Sequence, residues 1–261
     1  MSEPAVRPRA DPPIRRVGSV PDRTTTRLPR AGVVWDALRE AIADRGPLDI
    51  VDVGGGTGGF AVPLAELGHR VTVVDPSPDA LASLERRAGE SGVRVRGVQG
   101  DAAGLLDVVA PESADLVLCH GVLEHVDDPA PAALSLVAAL RSGGSLSVLA
   151  ANRNAIVLAR AIAGRFAEAR HALADPAGRW GPADPLPRRF TEEQLAALLT
   201  GAGLTVRAVH GVRTFTDLVP GAVTDSEPAA AQELLALEAA TSDRADFRAL
   251  ATQLHLLADK V

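Results

Sequence analysis

Apolar residues along this chain fall into two alternating patterns, one typical of buried strands and one of helices. Seven segments have strand character: Leu48 to Val53, Arg70 to Val74, Val93 to Val98, Asp115 to Cys119, Ser145 to Ala150, Leu204 to Val212 and Leu250 to Ala258. Helical segments separate most of them, with apolar residues three or four positions apart. From residue 48 to 151 the alternation is regular, which favours parallel strands joined by right-handed crossovers. We therefore predict an α/β fold with a seven-stranded, mostly parallel sheet and helices on both faces.

The predicted helices cover residues 33–42, 60–67, 78–88, 129–140, 155–174, 191–199 and 228–241. Residues 1–29 are rich in Pro, Arg, Ser and Thr and show no periodicity, so we predict a flexible tail there. One domain is predicted over residues 30–261. Its less regular segments, near 154–190 and 214–248, are predicted to form a small helical cap.

Composition and charge narrow the functional classes. The formal net charge is −6, but residues 1–30 hold seven arginines against three acids, which leaves −10 on the remainder. An acidic body argues against broad, non-specific binding of nucleic acid. No apolar stretch is long enough to span a membrane, and no signal peptide is evident. Cys119 is the single cysteine, which fits a reducing compartment. We therefore predict a cytoplasmic protein. We also predict that it has no membrane partner and no metal site.

The segment from Asp52 to Gly59 contains five glycines between a strand and a helix. Glycine lets the backbone turn sharply and approach a ligand closely, and a helix N-terminus offers free amide donors to a carboxylate or phosphate. Two ligand classes compete. Gly54, Gly56 and Gly59 satisfy the G-x-G-x-x-G pattern of dinucleotide sites, which alone is a weak signal. An acid-x-G-x-G-x-G pattern is also present, with Asp52 followed by Gly54, Gly56 and Gly58.

The later strands favour the second pattern. Asp75 ends the second strand, where an acid accepts hydrogen bonds from ribose hydroxyls, as both ligand classes require. Asp101 and Ala102 follow the third strand, and His120 to Val126 resembles an H-x-V-L-E-H-V segment after the fourth. In these features the chain resembles the class I S-adenosylmethionine-dependent methyltransferases, which have a Rossmann-like fold. The resemblance implies S-adenosylmethionine as cofactor, held by Asp52, Gly54, Gly56, Gly58, Asp75, Pro76, Asp101, Ala102 and His120.

A closer resemblance lies outside these shared motifs. Its segments are Leu28 to Trp35, Asn152, Gly211 to Asp217, Leu234 to Glu238 and Leu254 to Leu256. They resemble the tRNA 5-carboxymethoxyuridine methyltransferases, which esterify a carboxylate on the wobble uridine of tRNA. The resemblance implies that Arg30 reaches the cofactor carboxylate.

Substrate capture is then the main task, because a carboxylate nucleophile is already ionised and needs no base. An arginine fork suits a carboxylate or phosphate, and Arg213 is the first choice for catalysis and substrate binding. Asn152, Arg153 and Arg189 are further substrate-binding candidates. A plain salt bridge between Arg213 and Asp217 is the structural alternative.

Other functions stay open at this stage. A small-molecule O- or N-methyltransferase would use the same cofactor loop. If its nucleophile were a hydroxyl, a base would be useful, and His120, Glu124 and His125 would gain weight. For a carboxylate we expect His120 to line the cofactor pocket instead. A non-enzymatic binding protein would be expected to have a broken glycine loop or to lack the ribose acid, and neither is seen.

Overall fold

Seven strands, numbered along the chain, form one sheet in a computed structural model that describes residues 32–43, 45–220 and 228–261. The strands are β1 (Asp49–Val53), β2 (Arg70–Asp75), β3 (Val95–Gln99), β4 (Ala114–His120), β5 (Leu140–Ala151), β6 (Leu204–Val212) and β7 (Gln253–Lys260). Their spatial order is β3-β2-β1-β4-β5-β7-β6. Strands β1 to β5 are parallel to one another, and β7 pairs antiparallel with both β5 and β6. The predicted seven-stranded, mostly parallel sheet is confirmed.

Helices cover both faces of the sheet, as predicted. They are α1 (Val33–Ile42), α2 (Ala61–Glu66), α3 (Pro78–Glu90), α4 (Leu105–Val108), α5 (Pro129–Ala139), α6 (Arg153–Ile162), α7 (Phe166–Ala174), α8 (Glu192–Gly201), α9 (Pro228–Thr241) and α10 (Ala245–Arg248). Helices α1 to α3 bury their apolar residues in one core. Helices α4, α5 and α8 close the other. None of the helices in the described ranges is both long and apolar enough to cross a membrane.

Three predicted boundaries were wrong, each for a local reason. The single helix expected over 155–174 is two helices, because Gly164 adopts a left-handed φ of 72° between α6 and α7. The last strand begins at Gln253 rather than Leu250, because the amide of Ala251 still donates to Phe247 in the turn that follows α10. Strand β5 begins at Leu140, where a register shift lets it pair with Ala114 before the main ladder. The short helices α4 and α10 have no clear apolar period and were not predicted.

The junction after β5 is fixed by one buried side chain, Asn152. Its Oδ1 accepts from the amide of Asn154 at 3.0 Å and caps α6. Its Nδ2 lies 2.8 Å from the carbonyl of Ala251, and 3.2 and 3.3 Å from two further carbonyls of the α10–β7 turn. Since Asn152 is only 2% exposed, water cannot replace these bonds. The side chain therefore ties the start of α6 to the turn that precedes β7.

Replacing Asn152 with Ala removes the cap and leaves the buried carbonyl of Ala251 without this donor. The expected loss in the free energy of unfolding is about 2–4 kcal/mol, from the cap and the orphaned acceptor together. Urea unfolding of the variant measures it. Asn154→Ala, at an exposed position two residues further on, is the matched control and should stay within about 0.5 kcal/mol of the parent. Equal stability of the two variants would contradict the anchoring role.

Candidate functional site

The carboxyl ends of six strands meet at one edge of the sheet. Strands β1 to β5 are parallel, so their ends share that edge. Strand β6 is antiparallel to β7, which is antiparallel to β5, so β6 also ends there, at Val212. In open α/β sheets this edge is where ligands bind. The glycine loop, Asp75, His120 and Arg213 therefore all lie on one side of the molecule.

The loop after β1 needs glycine at three alternating positions. Gly54, Gly56 and Gly58 have φ values of 71°, 54° and 82°, in the left-handed region that L side chains rarely adopt. A Cβ on Gly58 would lie 2.4 Å from Cδ1 of Leu84. Gly59 has neither a left-handed φ nor a neighbour within 4 Å of such an atom. The geometry therefore requires the acid-x-G-x-G-x-G spacing and not the third glycine of the dinucleotide pattern.

Asp75 holds this loop in shape. Its Oδ2 accepts from the amide of Gly56 at 2.9 Å, and its Oδ1 accepts from the amide of Ser77 at 2.9 Å. The side chain is buried, and each carboxylate oxygen can accept at least one further bond. A ligand hydroxyl at the mouth of the loop would find acceptors already fixed in place.

Asp52 lies beneath the same loop and is unusually placed for an acid. It is only 3% exposed, and its Oδ2 occupies the space where a side chain on Gly55 would start. Burial, together with the negative charge of Asp75, raises the pKa of Asp52 to about 7. A positively charged ligand would favour its ionised form. The pair of acids thus suits a ligand that carries both a cationic group and hydroxyls.

The remaining predicted cofactor residues lie further along the same edge. Oδ1 of Asp101 accepts from the amides of Ala103 and Gly104, at 3.0 and 2.8 Å, and so shapes the turn into α4. Ala102 is buried and Pro76 is exposed. Arg30 lies outside the described residues. The structure therefore leaves Asp101 a second carboxylate oxygen for a ligand.

His120 ends β4 beside the glycine loop, since the preceding residue, Cys119, pairs with Val53. Its Nε2 is 2.8 Å from Oγ of Ser147. Its Nδ1 is buried and has no hydrogen-bond partner among the described residues. The ring packs edge-on against Phe60, whose own ring stacks on Trp35. Burial lowers the pKa of His120 to about 3, so the ring is neutral at pH 7.

Arg213 follows β6 in a strained backbone conformation, with a φ of 60°. The next three amides, of Thr214, Phe215 and Thr216, all donate to the buried carboxylate of Glu238 at 2.8 to 2.9 Å. This network forces the tight turn that presents Arg213 outwards. Its half-exposed guanidinium donates to Asp217, as the structural alternative predicted. The pairing leaves other guanidinium donors free for a ligand.

Arg213 lies well away from His120. Three strand spacings separate β4 from β6, and at about 4.8 Å per spacing the gap is about 14 Å. Its predicted roles in catalysis and in substrate binding stay predictions. An acceptor would need to extend across β5 and β7 to meet both His120 and Arg213.

The three other predicted substrate residues have structural partners instead. Asn152 is occupied by the bonds described above. The guanidinium of Arg189 is buried, pairs with both carboxylate oxygens of Asp184 at 2.7 and 2.9 Å, and donates to the carbonyl of Gly178. Arg153 donates to the carbonyl of Leu173 at 2.9 Å. These side chains fasten the segment 153–190, which we call the cap segment, to the sheet and to itself. Their predicted contacts with a substrate stay predictions.

Some residues of this edge were missed by sequence reasoning. Glu238 matched a helix motif but gave no sign that it binds a loop 22 to 24 residues earlier. Ser147, His255 and His210 continue in that order from Nε2 of His120 as a hydrogen-bonded row. Only His255 was noted, as part of a closing strand. Their shared signal is a polar residue inside an otherwise apolar strand.

A large cavity lies away from this edge. It measures about 1010 Å³ and is lined by residues such as Asp49, Arg70 and Arg96. These residues occupy the first or second positions of β1, β2 and β3, at the ends of the strands opposite the glycine loop. Size alone therefore does not mark the functional site.

Comparison with known proteins agrees with this geometry. Residues 51–148 match the model of a family described as a methyltransferase domain. Over 201 residues the chain is 31% identical to the tRNA 5-carboxymethoxyuridine methyltransferase of Escherichia coli strain K12. The aligned region covers 74% of each chain. It is also 35% identical over 167 residues to a ubiquinone biosynthesis O-methyltransferase of Methylobacterium sp. strain 4-46, covering 63% of each.

Solved structures share the fold. A methyltransferase from Mesorhizobium loti has a TM-score of 0.58 at 23% identity, over 87% of this chain and 98% of its own. A didemethyltoxoflavin N1-methyltransferase from Burkholderia thailandensis, with bound S-adenosylhomocysteine, has a TM-score of 0.54 at 24% identity, over 87% and 76%. At these identities the likeness establishes the architecture.

The left-handed glycine loop, the acid that shapes it, the family match and the identity over three quarters of the chain agree on one assignment. The chain belongs to the class I S-adenosylmethionine-dependent methyltransferases, an enzyme family in which it is similar to the tRNA 5-carboxymethoxyuridine methyltransferases.

Proposed function

We propose that this enzyme transfers the methyl group of S-adenosylmethionine to a carboxylate oxygen on a modified wobble uridine of tRNA, in the cytoplasm. The proposal is supported chiefly by the similarity to the Escherichia coli enzyme, which extends beyond the cofactor motifs. It also rests on Arg213, a fork that can bind an anion at the site edge.

The cap segment adds a second support. Residues 153–190 hold seven arginines against three acids, the reverse of the acidic body. Arg165 and Arg179 have side chains that are 57% and 54% exposed. Because phosphate contacts come mainly from such side chains and need only a local basic surface, the net negative charge of the whole chain is compatible with RNA binding.

The reaction asks little of the protein beyond alignment. Bound S-adenosylmethionine supplies an electrophilic methyl group on a sulfonium. The carboxylates of Asp75 and Asp101 have lone pairs left to accept hydrogen bonds from a nucleoside. Ionised Asp52 complements a positive charge beside the loop. The acceptor carboxylate is already ionised, so the residues need only hold it in line and exclude water. Phe60 and Trp35 supply an apolar wall beside His120.

A second candidate is O-methylation of a small molecule. The Methylobacterium relative, at 35% identity over 63% of the chain, favours it. It differs from the first in needing no basic surface, and its acceptor would be a hydroxyl that must lose a proton.

A labelling experiment separates the two candidates. The protein is incubated with radiolabelled S-adenosylmethionine and either total bacterial tRNA, or tRNA from cells unable to make the carboxymethoxy group. Label is expected in the first tRNA and absent from the second. Arg213→Ala should raise KM for tRNA by about tenfold, as the loss of one charged hydrogen bond of about 1.5 kcal/mol predicts. Arg207→Ala, at a half-exposed arginine on the preceding strand β6, is the matched control. Label in neither tRNA, with label in a metabolite extract, would remove the tRNA proposal.

Asp75→Ala should weaken binding of S-adenosylmethionine. The variant loses two ligand-facing acceptors and releases the amides of Gly56 and Ser77, a cost of about 1–3 kcal/mol, or roughly 5- to 150-fold in Kd. Calorimetry measures the change. Asp79→Ala, at an exposed position in the first turn of α3, should leave Kd within about twofold. An unchanged Kd for Asp75→Ala would contradict its assigned role.

Binding of S-adenosylmethionine should weaken as pH falls below about 7. Asp52 is neutral below its raised pKa, and only its ionised form attracts a cationic ligand. Binding should therefore release a proton in acidic buffer, which calorimetry in buffers of different ionisation enthalpy detects. Asp52→Asn should bind more weakly at pH 8 and lose most of this pH dependence.

The same substitution should stabilise the ligand-free protein. Because the folded pKa of Asp52 is raised, its ionisation opposes folding above the unfolded value near 4, increasingly up to pH 7. Asp52→Asn should thus unfold at higher urea than the parent at pH 8, and the difference should shrink towards pH 4. A constant difference across this range would contradict the raised pKa.

A further inference from the structure

Four polar side chains form a continuous row across the second half of the sheet. Nε2 of His120 is 2.8 Å from Oγ of Ser147, and the same Oγ is 2.8 Å from Nε2 of His255. Nδ1 of His255 is 3.1 Å from Nδ1 of His210. The row links strands β4, β5, β7 and β6 on the face covered by α1 and α2. It begins beside the cofactor loop and ends at half-buried His210.

The two inner members of the row have no access to water. Ser147 and His255 are completely buried, and every side-chain hydrogen bond that they make to the described residues runs along the row. Burial lowers the pKa of His120 and His255, the latter also through its histidine neighbours. Both rings are therefore neutral at pH 7, with one N–H and one bare nitrogen each.

A neutral row has only two consistent arrangements of hydrogens. If His210 donates to His255, then His255 donates from Nε2 to Ser147, Ser147 donates to His120, and the proton of His120 sits on Nδ1. If His255 donates to His210 instead, every bond reverses and Nδ1 of His120 is bare. A serine hydroxyl carries a single hydrogen, so the two histidines on Ser147 cannot both accept from it. If both donated to it, the buried hydroxyl hydrogen would have no acceptor among the described residues. The tautomer of His120 is thus coupled to that of His210, three strands further along the sheet.

We propose that Ser147, His255 and His210 are positioning residues that set which tautomer His120 presents at Nδ1 to the methyl acceptor. The buried Nδ1 beside the cofactor loop has no partner in the described part of the chain, and a bound acceptor supplies one. The coupling holds for any acceptor. Its direction rests on the proposed function, because a carboxylate offers only lone pairs and so selects an N–H at Nδ1.

The opposite direction would serve a protic acceptor. A hydroxyl would give its proton to bare Nδ1 of His120 as its oxygen bonds to the methyl carbon and the bond from that carbon to the sulfonium sulfur breaks. His120 would pass its Nε2 proton to Ser147, Ser147 its hydroxyl proton to His255, and His255 its Nδ1 proton to His210. His210 would release its Nε2 proton to water, and each ring would end neutral. The direction of the row in the resting protein therefore reports the class of acceptor.

The outer end of the row has its own electrostatic surroundings. Burial lowers the pKa of His210, Arg248 lowers it further, and Asp243 and Glu40 raise it. Protonated His210 must carry a hydrogen on Nδ1, which forces the arrangement with N–H at Nδ1 of His120. Acidification should therefore fix the direction at the inner end as well.

The test is ¹⁵N NMR of the histidine rings in the full chain, which assigns the protonated nitrogen of each ring. The chain has six histidines, and the three outside the row serve as internal references. The parent protein should show single tautomers for His120 and His255. Ser147→Ala should give averaged tautomers for both, and Ser147→Thr, which keeps the hydroxyl, should restore them. Ser145→Ala is the matched control, since Ser145 lies on the same strand and face but donates to Asp259.

His210→Phe extends the test to the outer end with a ring of similar shape. It removes the nitrogen that contacts His255, so the tautomer of His120 should change although two strands, β5 and β7, lie between the two rings. Unchanged rings of His120 and His255 in both Ser147→Ala and His210→Phe, or equal changes in Ser145→Ala, would overturn the coupling. An intact row with bare Nδ1 in parent His120 would overturn the carboxylate direction alone. Failure of tRNA labelling beside a coupled row would overturn the proposed function and leave the coupling standing.

Discussion

The backbone turn that follows β1 is the constraint on which the rest of the site depends. Three alternating glycines in left-handed conformations bring the chain across the end of the sheet, and the carboxylate of Asp75 holds the turn from the neighbouring strand. That arrangement traps Asp52 in a buried position, where ionisation is costly. A cationic cofactor relieves this cost. Stability and cofactor binding therefore oppose each other at a single carboxylate, a common feature of functional sites.

The second half of the chain builds the acceptor side with structural ties rather than with free polar groups. Asn152 fastens α6 to the turn before β7, and Arg189 fastens the cap segment through Asp184. Glu238 gathers three successive amides and so turns Arg213 outwards. Rigid placement of one arginine thus uses several buried polar residues. Many of the polar residues in this region therefore have structural partners within the chain.

The parts of the structure that depend on local sequence could be predicted from the sequence, and those that depend on register could not. The sheet follows from periodicity and is confirmed. The glycine turn and the acid at Asp75 follow from spacing, and the structure brings them into contact. Asn152 and Arg189 have the residue types of ligand contacts, and only their tertiary partners reveal a structural role. The row from His120 to His210 joins four strands whose side chains meet only through pairing register, which a single sequence does not specify.

The antiparallel strand β7 lies between β5 and β6, although it follows both in the chain. During synthesis, β6 therefore has no neighbour to pair with until β7 has left the ribosome. The cofactor loop, built from β1, β2 and β4, can assemble well before that moment. Insertion of β7 is thus the event that brings His255 between Ser147 and His210. A nascent chain whose cofactor loop is already formed would still lack the hydrogen bonds that join β6 and β7 to the sheet.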